Sequence, residues 1–187
     1  LRPHLAGFRA LHPGVRIALE PNPSFTALTG GRADLGIAFG EPEEFKSPAE
    51  VLLRPAIFPV CSPQFLQQHG PLHSVADLLR QVLLHEDDGT WWDTWLQAQG
   101  VRARTSSEMS YVSADQVIEL ALDSAGIALT NQWLVADELA SGRLVRPLPQ
   151  QSVHEAYVLL TPGTVLTPQA QAFRHWLLGK LQNAPVL

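Results

Sequence analysis

The chain's 187 residues, 45% hydrophobic and 17% charged, are enough to bury a sizeable core as one large domain or two small lobes. Lys and Arg total 13 against 18 acids, a net charge of −5, which leaves no electrostatic footprint for a nucleic-acid backbone. A single cysteine, Cys61, excludes an internal disulfide and fits a reducing compartment, and no apolar run approaches the roughly 20 residues that span a bilayer.

The chain opens without Met, at Leu1-Arg2-Pro3, inside an amphipathic pattern, and no secretion signal precedes it; it reads as a fragment cut from something longer. Leu1, Leu5, Phe8 and Leu11 recur at helical spacing until His12-Pro13-Gly14 stops them. Val15, Ile17 and Leu19 then alternate with polar or small residues, predicting a strand with one face buried. Ser24 is placed to cap a short helix ended by Gly30-Gly31, and Leu35 to Phe39 is a compact apolar run of parallel-strand type. Val51 to Val60 reads as an irregular or edge strand, since Pro55 and Pro59 supply no ladder donors.

Ser74-Val75-Ala76-Asp77 resembles a capping box, and Val82 to His85 follows as a short strand. Thr90 to Gln99 is predicted as a helix carrying Trp91, Trp92 and Trp95, with Gly100 as its left-handed cap. Ser113 to Gln116 is a clearer capping box; the helix it opens shows Val117, Ile118, Ala121 and Leu122 on one face, and Gly126 is read as its end. Ile127 to Leu129 predicts a strand, Thr130 or Asn131 the cap of a helix closed by Gly142, and Leu144 to Leu148 and Ala156 to Leu160 the last strands. Thr167-Pro168 opens a final helix with Phe173, Trp176 and Leu177 on one face. Alternating strands and helices predict an α/β sheet covered on both faces.

The order and spacing of several segments carry a resemblance. They are Leu5 to Leu11 with His12-Pro13, Gly31 to Gly40, Phe58 to Pro63, Pro71-Leu72 with Ala76-Asp77-Leu78, and the block from Asp115 to Pro147. Together these resemble the effector-binding (regulatory) domain of LysR-type transcriptional regulators, in the branch of the glycine-cleavage activator and the β-lactamase regulator. The resemblance implies two Rossmann-like lobes of type 2 periplasmic-binding architecture that bind a small-molecule effector between them. Lobe I is expected over 1–59 plus 150–187 and lobe II over 60–149, with the first strand of lobe I missing. It also implies a winged helix-turn-helix outside this chain as the only route to DNA, a cytoplasmic location without membrane contact, and a homodimer or homotetramer. The dimer would form through Leu1 to Leu11 and Val15 to Glu20 against second-lobe elements of a partner. Many relatives carry arginine where this chain has Ala38, so a carboxylate clamp does not carry over.

Ligands of open α/β sheets sit beyond the carboxyl ends of strands, next to helix N-termini. That rule selects Phe39 and Gly40, Ser113, and Thr130 with Asn131 as effector-binding candidates. Ser113 and Thr130 suit an anionic or amide ligand, although plain helix caps are the competing reading. Ser62 at the first crossover, His85, Trp92 and Tyr157 join the list; Trp92 and Tyr157 are also natural core residues. His85-Glu86-Asp87-Asp88 is read as a solvated, ligand-facing loop, because adjacent ligands on one loop diverge and do not converge on a metal. Neither a serine-nucleophile elbow nor a phosphate loop is present, so no catalytic residue, metal or cofactor is expected. A stand-alone solute-binding protein is the alternative, and an α/β enzyme using His85 with Asp87 or Asp88 a more distant one.

Overall fold

In a computed structural model of the chain, residues 4–20, 28, 30–105 and 113–182 are described. They form two compact units, one comprising the residues up to Arg54 together with those from His154 onward, the other Pro55–Val153. The unit boundaries lie at 54/55 and 153/154, beside the 59/60 and 149/150 divisions that the resemblance implies. The reason is that Ile57 and Ser152 bond to each other and belong with the second unit. The predicted helix opened by Ser24 lies, except for Leu28, outside the described residues.

The first unit is built on β6 (Ala156–Leu160), which pairs antiparallel with β1 (Gly36–Gly40) on one side and β2 (Ala49–Leu53) on the other. The apolar run ending at Phe39 is therefore a strand, but it lies antiparallel to its one described neighbour, not in the parallel ladder its composition suggests. Successive side chains of β6 go to opposite faces. Leu159 packs with Phe8 of α1 (Leu5–Leu11) and with Trp176 and Leu177 of α6 (Pro168–Gln182), while Ala156, Val158 and Leu160 join Leu28 on the other face. Arg174 of α6 reaches Glu50 of β2 at 2.7 Å. Val15 and Ile17 are half-buried against the first of these clusters, so their alternation is real, yet residues 15–20 have no ladder partner among the described residues and form no strand.

In the second unit β5 (Ile127–Asn131) is central, antiparallel to β3 (Ile57–Val60) and parallel to β4 (Leu83–Leu84). The predicted single strand from Val51 to Val60 is broken at Arg54-Pro55-Ala56 into β2 and β3. One sheet face is covered by α4 (Ala114–Leu122) and α5 (Gln132–Ala140): Val117, Ile118, Ala121 and Val135 pack on Phe58, Val60, Leu84 and Ala128. Trp92 and Trp95 of α3 (Thr90–Ala98) are fully buried, their rings edge to face at 6.0 Å. A short helix, α2 (Pro63–His69), is capped by Ser62, and Val75–Arg80 form a 3-10 turn behind the expected Ser74/Asp77 capping box.

Two further expectations change. Leu144 to Leu148 make no strand: only Val145 bridges, to Cys61, because Pro147 and Pro149 lack the N–H groups a ladder needs. Gly126 does not end α4. The helix stops at Leu122, Ser124 takes the left-handed turn at φ 64°, and Gly126 is instead buried where β5 begins.

Candidate functional site

In the second unit the carboxyl ends of the parallel strands bring several polar groups together. Leu84 is in register with Ala128, so His85 leaves β4 at the same end at which Thr130 and Asn131 close β5. α5 follows β5 without a loop, and the Asn131 side chain caps it by accepting the Trp133 N–H at 3.0 Å. The short connection from α4 to β5 returns the chain, which sets Ser113, the N-cap of α4, toward this same end. Ser113 is exposed, and its N–H and hydroxyl both donate to the Gln116 side-chain oxygen, at 3.1 and 3.2 Å.

Thr130 is 1% exposed and His85 4%, and among the described residues neither the Thr130 hydroxyl nor His85 Nδ1 has a hydrogen-bond partner. Buried polar groups are rarely left so, because each costs about 1–3 kcal/mol of desolvation. Burial pushes His85 below the ordinary histidine range, opposed by the nearby Asp87 and Asp93 carboxylates, so the folded state favours the neutral imidazole.

Two carboxylates of the acidic loop also have local partners. Asp87 accepts the N–H groups of Gly89 and Trp91 at 2.9 and 2.8 Å, and Asp88 accepts the Thr90 N–H and hydroxyl. These carboxylates therefore cap and fix the start of α3, and Gly89 makes the turn at φ 104°. Trp92 is 1% exposed and donates its indole N–H to the Leu84 carbonyl at 2.8 Å, which makes it a core residue supporting β4. Among the described residues no group of His, Cys, Asp and Glu could hold a metal ion.

Ser62 stands apart. β3 runs antiparallel to β5, so Ser62 emerges at the opposite end of the sheet, where its oxygen accepts the Phe65 N–H and meets Ser124 Oγ at 2.7 Å. Cys61 beside it is fully buried, and burial pushes its thiol up to about 12.

In the first unit, Phe39 and Gly40 end β1 opposite Tyr157 and Ala156, with the Phe39 and Tyr157 rings 4.8 Å apart. Gly40 is held to glycine by its backbone, at φ 149°, a conformation that side-chain-bearing residues rarely adopt. Glu41 follows it, taking both Arg54 guanidinium nitrogens at 2.7 and 2.9 Å. Ala38 is half-buried opposite Val158. The residues missed from the sequence are Trp95 and Arg146. The Trp92/Trp95 spacing announced a core contact, but nothing local showed that Trp95 would donate to the distant Ile57.

Strand ends, capped helices and two lobe-sized α/β units define the class: the chain belongs to the LysR substrate binding domain family, whose family model matches residues 1–182. The fold is the type 2 periplasmic-binding-like α/β fold of LysR effector domains. The chain is 30% identical over 186 residues to the HTH-type transcriptional regulator DsdC of Escherichia coli K12, covering 95% of this chain and 60% of that protein. It is 26% identical over 183 residues to the glycine cleavage system transcriptional activator of the same organism, covering 96% and 60%. The solved effector domain of the transcriptional regulator AmpR of Pseudomonas aeruginosa superimposes with a TM-score of 0.83 at 28% identity, covering 97% of this chain and 87% of that one. Thus the chain is a LysR substrate-binding domain homologous to effector domains of transcriptional regulators, and it spans about three-fifths of the length of the curated relatives it matches. The comparisons give no support to a stand-alone solute-binding protein, and the relatives named above are transcriptional regulators. No helix among the described residues is long and apolar enough to cross a membrane.

Proposed function

We propose that this chain is the ligand-sensing part of a cytoplasmic, DNA-binding transcriptional regulator and has no enzymatic activity. The observation that supports the site is a pair of buried groups without partners among the described residues, the Thr130 hydroxyl and His85 Nδ1, at the ends of neighbouring parallel strands. A hydroxyl beside the N-terminus of α5 suits an anionic or amide-bearing small molecule, and a neutral imidazole can donate or accept. Ser113 and Asn131 extend this set in the second unit; within the first unit, taken by itself, Phe39, Gly40 and Tyr157 are the candidates. DNA contact belongs to a segment outside this sequence, in keeping with the net charge of −5 and with relatives named as HTH-type regulators.

The same reading makes the chain self-associating. A cavity of about 460 Å³ is lined by Ala6, Arg9, Ala10, Pro13, Val15, Arg16 and Ile17, and Leu11 and Leu19 beside it are 69% and 49% exposed. A second copy of the chain is the occupant we assign to this face, in a homodimer or homotetramer.

A thermal-shift screen of amino acids, aromatic acids and peptidoglycan fragments tests the sensing role. A ligand at about 100 times its dissociation constant stabilises the fold by about 2.7 kcal/mol. The reading requires at least one such compound to stabilise the wild type and to lose its effect on Thr130→Val. A screen without hits, or a hit that stabilises both proteins equally, goes against it.

A further inference from the structure

We propose that α3 couples the polar loop after β4 to the two segments that lie next to the unit boundaries, the first crossover around Ile57 and the second crossover around Gln151 and Ser152, with Trp95 as the positioning residue; this rests on the reading that the loop meets the ligand. At the front of α3, Asp87 binds Gly89 and Trp91, so loop and first turn form one piece. At the back, the helix holds two distant segments. Trp95 donates its indole N–H to the Ile57 carbonyl at 3.0 Å, and Gln99 donates its side-chain N–H to the Gln151 carbonyl at 3.2 Å.

Those segments also hold each other. Ile57 donates to the Ser152 carbonyl at 2.8 Å, and Ser152 donates back to the Ile57 carbonyl at 3.0 Å. The Ile57 carbonyl therefore takes two donors, one from α3 and one from the second crossover, while Ile57 itself is paired with Asn131 at the end of β5. Arg146 lies over the Phe58 ring at 4.3 Å and donates to the Pro149 carbonyl at 2.8 Å, stiffening the same strap. The Trp95 indole is fully buried, so its N–H has no water to turn to and the Ile57 carbonyl follows the helix. A ligand that reorders the loop shifts the first turn of α3, and the shift arrives at Ile57 and Gln151.

Hydrogen exchange on the ligand-free chain tests this. Trp95→Phe keeps an apolar ring and deletes the N–H; exchange at the Ile57 and Ser152 amides is expected to rise about fivefold, as for loss of one hydrogen bond. The Cys61 and Val145 amides, which bond across the same two segments, serve as reference and stay unchanged. Asp87→Asn is expected to quicken exchange at Ile57 and Ser152 too, and to add nothing in the Trp95→Phe background. Equal acceleration at all four amides, no change at Ile57 and Ser152, or strictly additive effects would overturn the coupling. If Trp95→Phe does not fold, Gln99→Ala replaces it with Ser152 as the readout, and unchanged exchange there has the same consequence. Every arm is ligand-free, so failure here is separable from failure of the sensing role.

Discussion

The indole N–H of Trp95 and the carbonyl oxygen of Ile57 meet at 3.0 Å in the interior of the second unit, 38 residues apart in the chain. Through that contact the helix that follows the polar loop also positions the first crossover. The arrangement gives the loop a mechanical output in addition to whatever it binds.

Thr130→Val replaces a buried, unpartnered hydroxyl by a methyl of similar size. Without ligand, the variant is expected to be more stable by about 1 kcal/mol, because the desolvation cost of the hydroxyl disappears. Urea denaturation measures this. A clear loss of stability means that the hydroxyl is satisfied in the folded protein.

Acidification should weaken the fold through two histidines. Burial lowers both His85 and His154 from 6.5, against the opposing pull of Asp87 and Asp93 on one and Glu41 on the other. The unfolded chain therefore binds more protons than the folded one in this range, so stability is full above the unfolded value of 6.5 and declines as pH falls through it. Glu41, Asp77 and Asp88 are held below their ordinary carboxylate values and act only at lower pH. Denaturation midpoints at about pH 7.5 and about pH 5.5 should differ, and His85→Gln should reduce the difference. Identical midpoints in the wild type contradict the neutral buried imidazoles.

Gly126→Ala should be among the more damaging small changes. Its Cβ would stand 2.7 Å from the Val82 carbonyl and 3.0 Å from Leu84, at the start of the parallel pairing of β4 with β5. Backbone cannot give way cheaply there, and a loss of about 1–3 kcal/mol is expected from overpacking. Thermal melting decides it; an unchanged melting temperature shows that β4 yields.

The proposed self-association uses the exposed apolar face of the first unit, where Leu11 and Leu19 are exposed. Leu11→Lys with Leu19→Lys should convert the dimer to monomer in sedimentation velocity without altering the melting of the monomer. Persistence of the dimer would place the interface elsewhere.

The sequence announced most elements through local chemistry. Ser62, Ser74, Ser113 and Thr167 each stand where a helix or 3-10 turn begins, and Gly100 takes its left-handed cap at φ 79°. What it misjudged were partners distant in the chain. Leu35 to Phe39 looks the same in a parallel as in an antiparallel ladder, since either buries both faces, and only the approach of Tyr157 fixes the direction. Val15 to Leu19 has the alternation of a strand but no described neighbour to bond with. At the site, Thr130 and Asn131 were legible because a polar pair closes an apolar run. The fate of Asp87 and Asp88 was not, because a free acidic loop and a doubly capped helix start share one composition.

Amide chemical-shift mapping with a stabilising ligand from the screen tests the central claim most directly. The largest shifts are expected to cluster at His85–Gly89 and Thr130–Trp133. Shifts concentrated around Ser62 and Ser124, with the Thr130 end of the sheet silent, would contradict it.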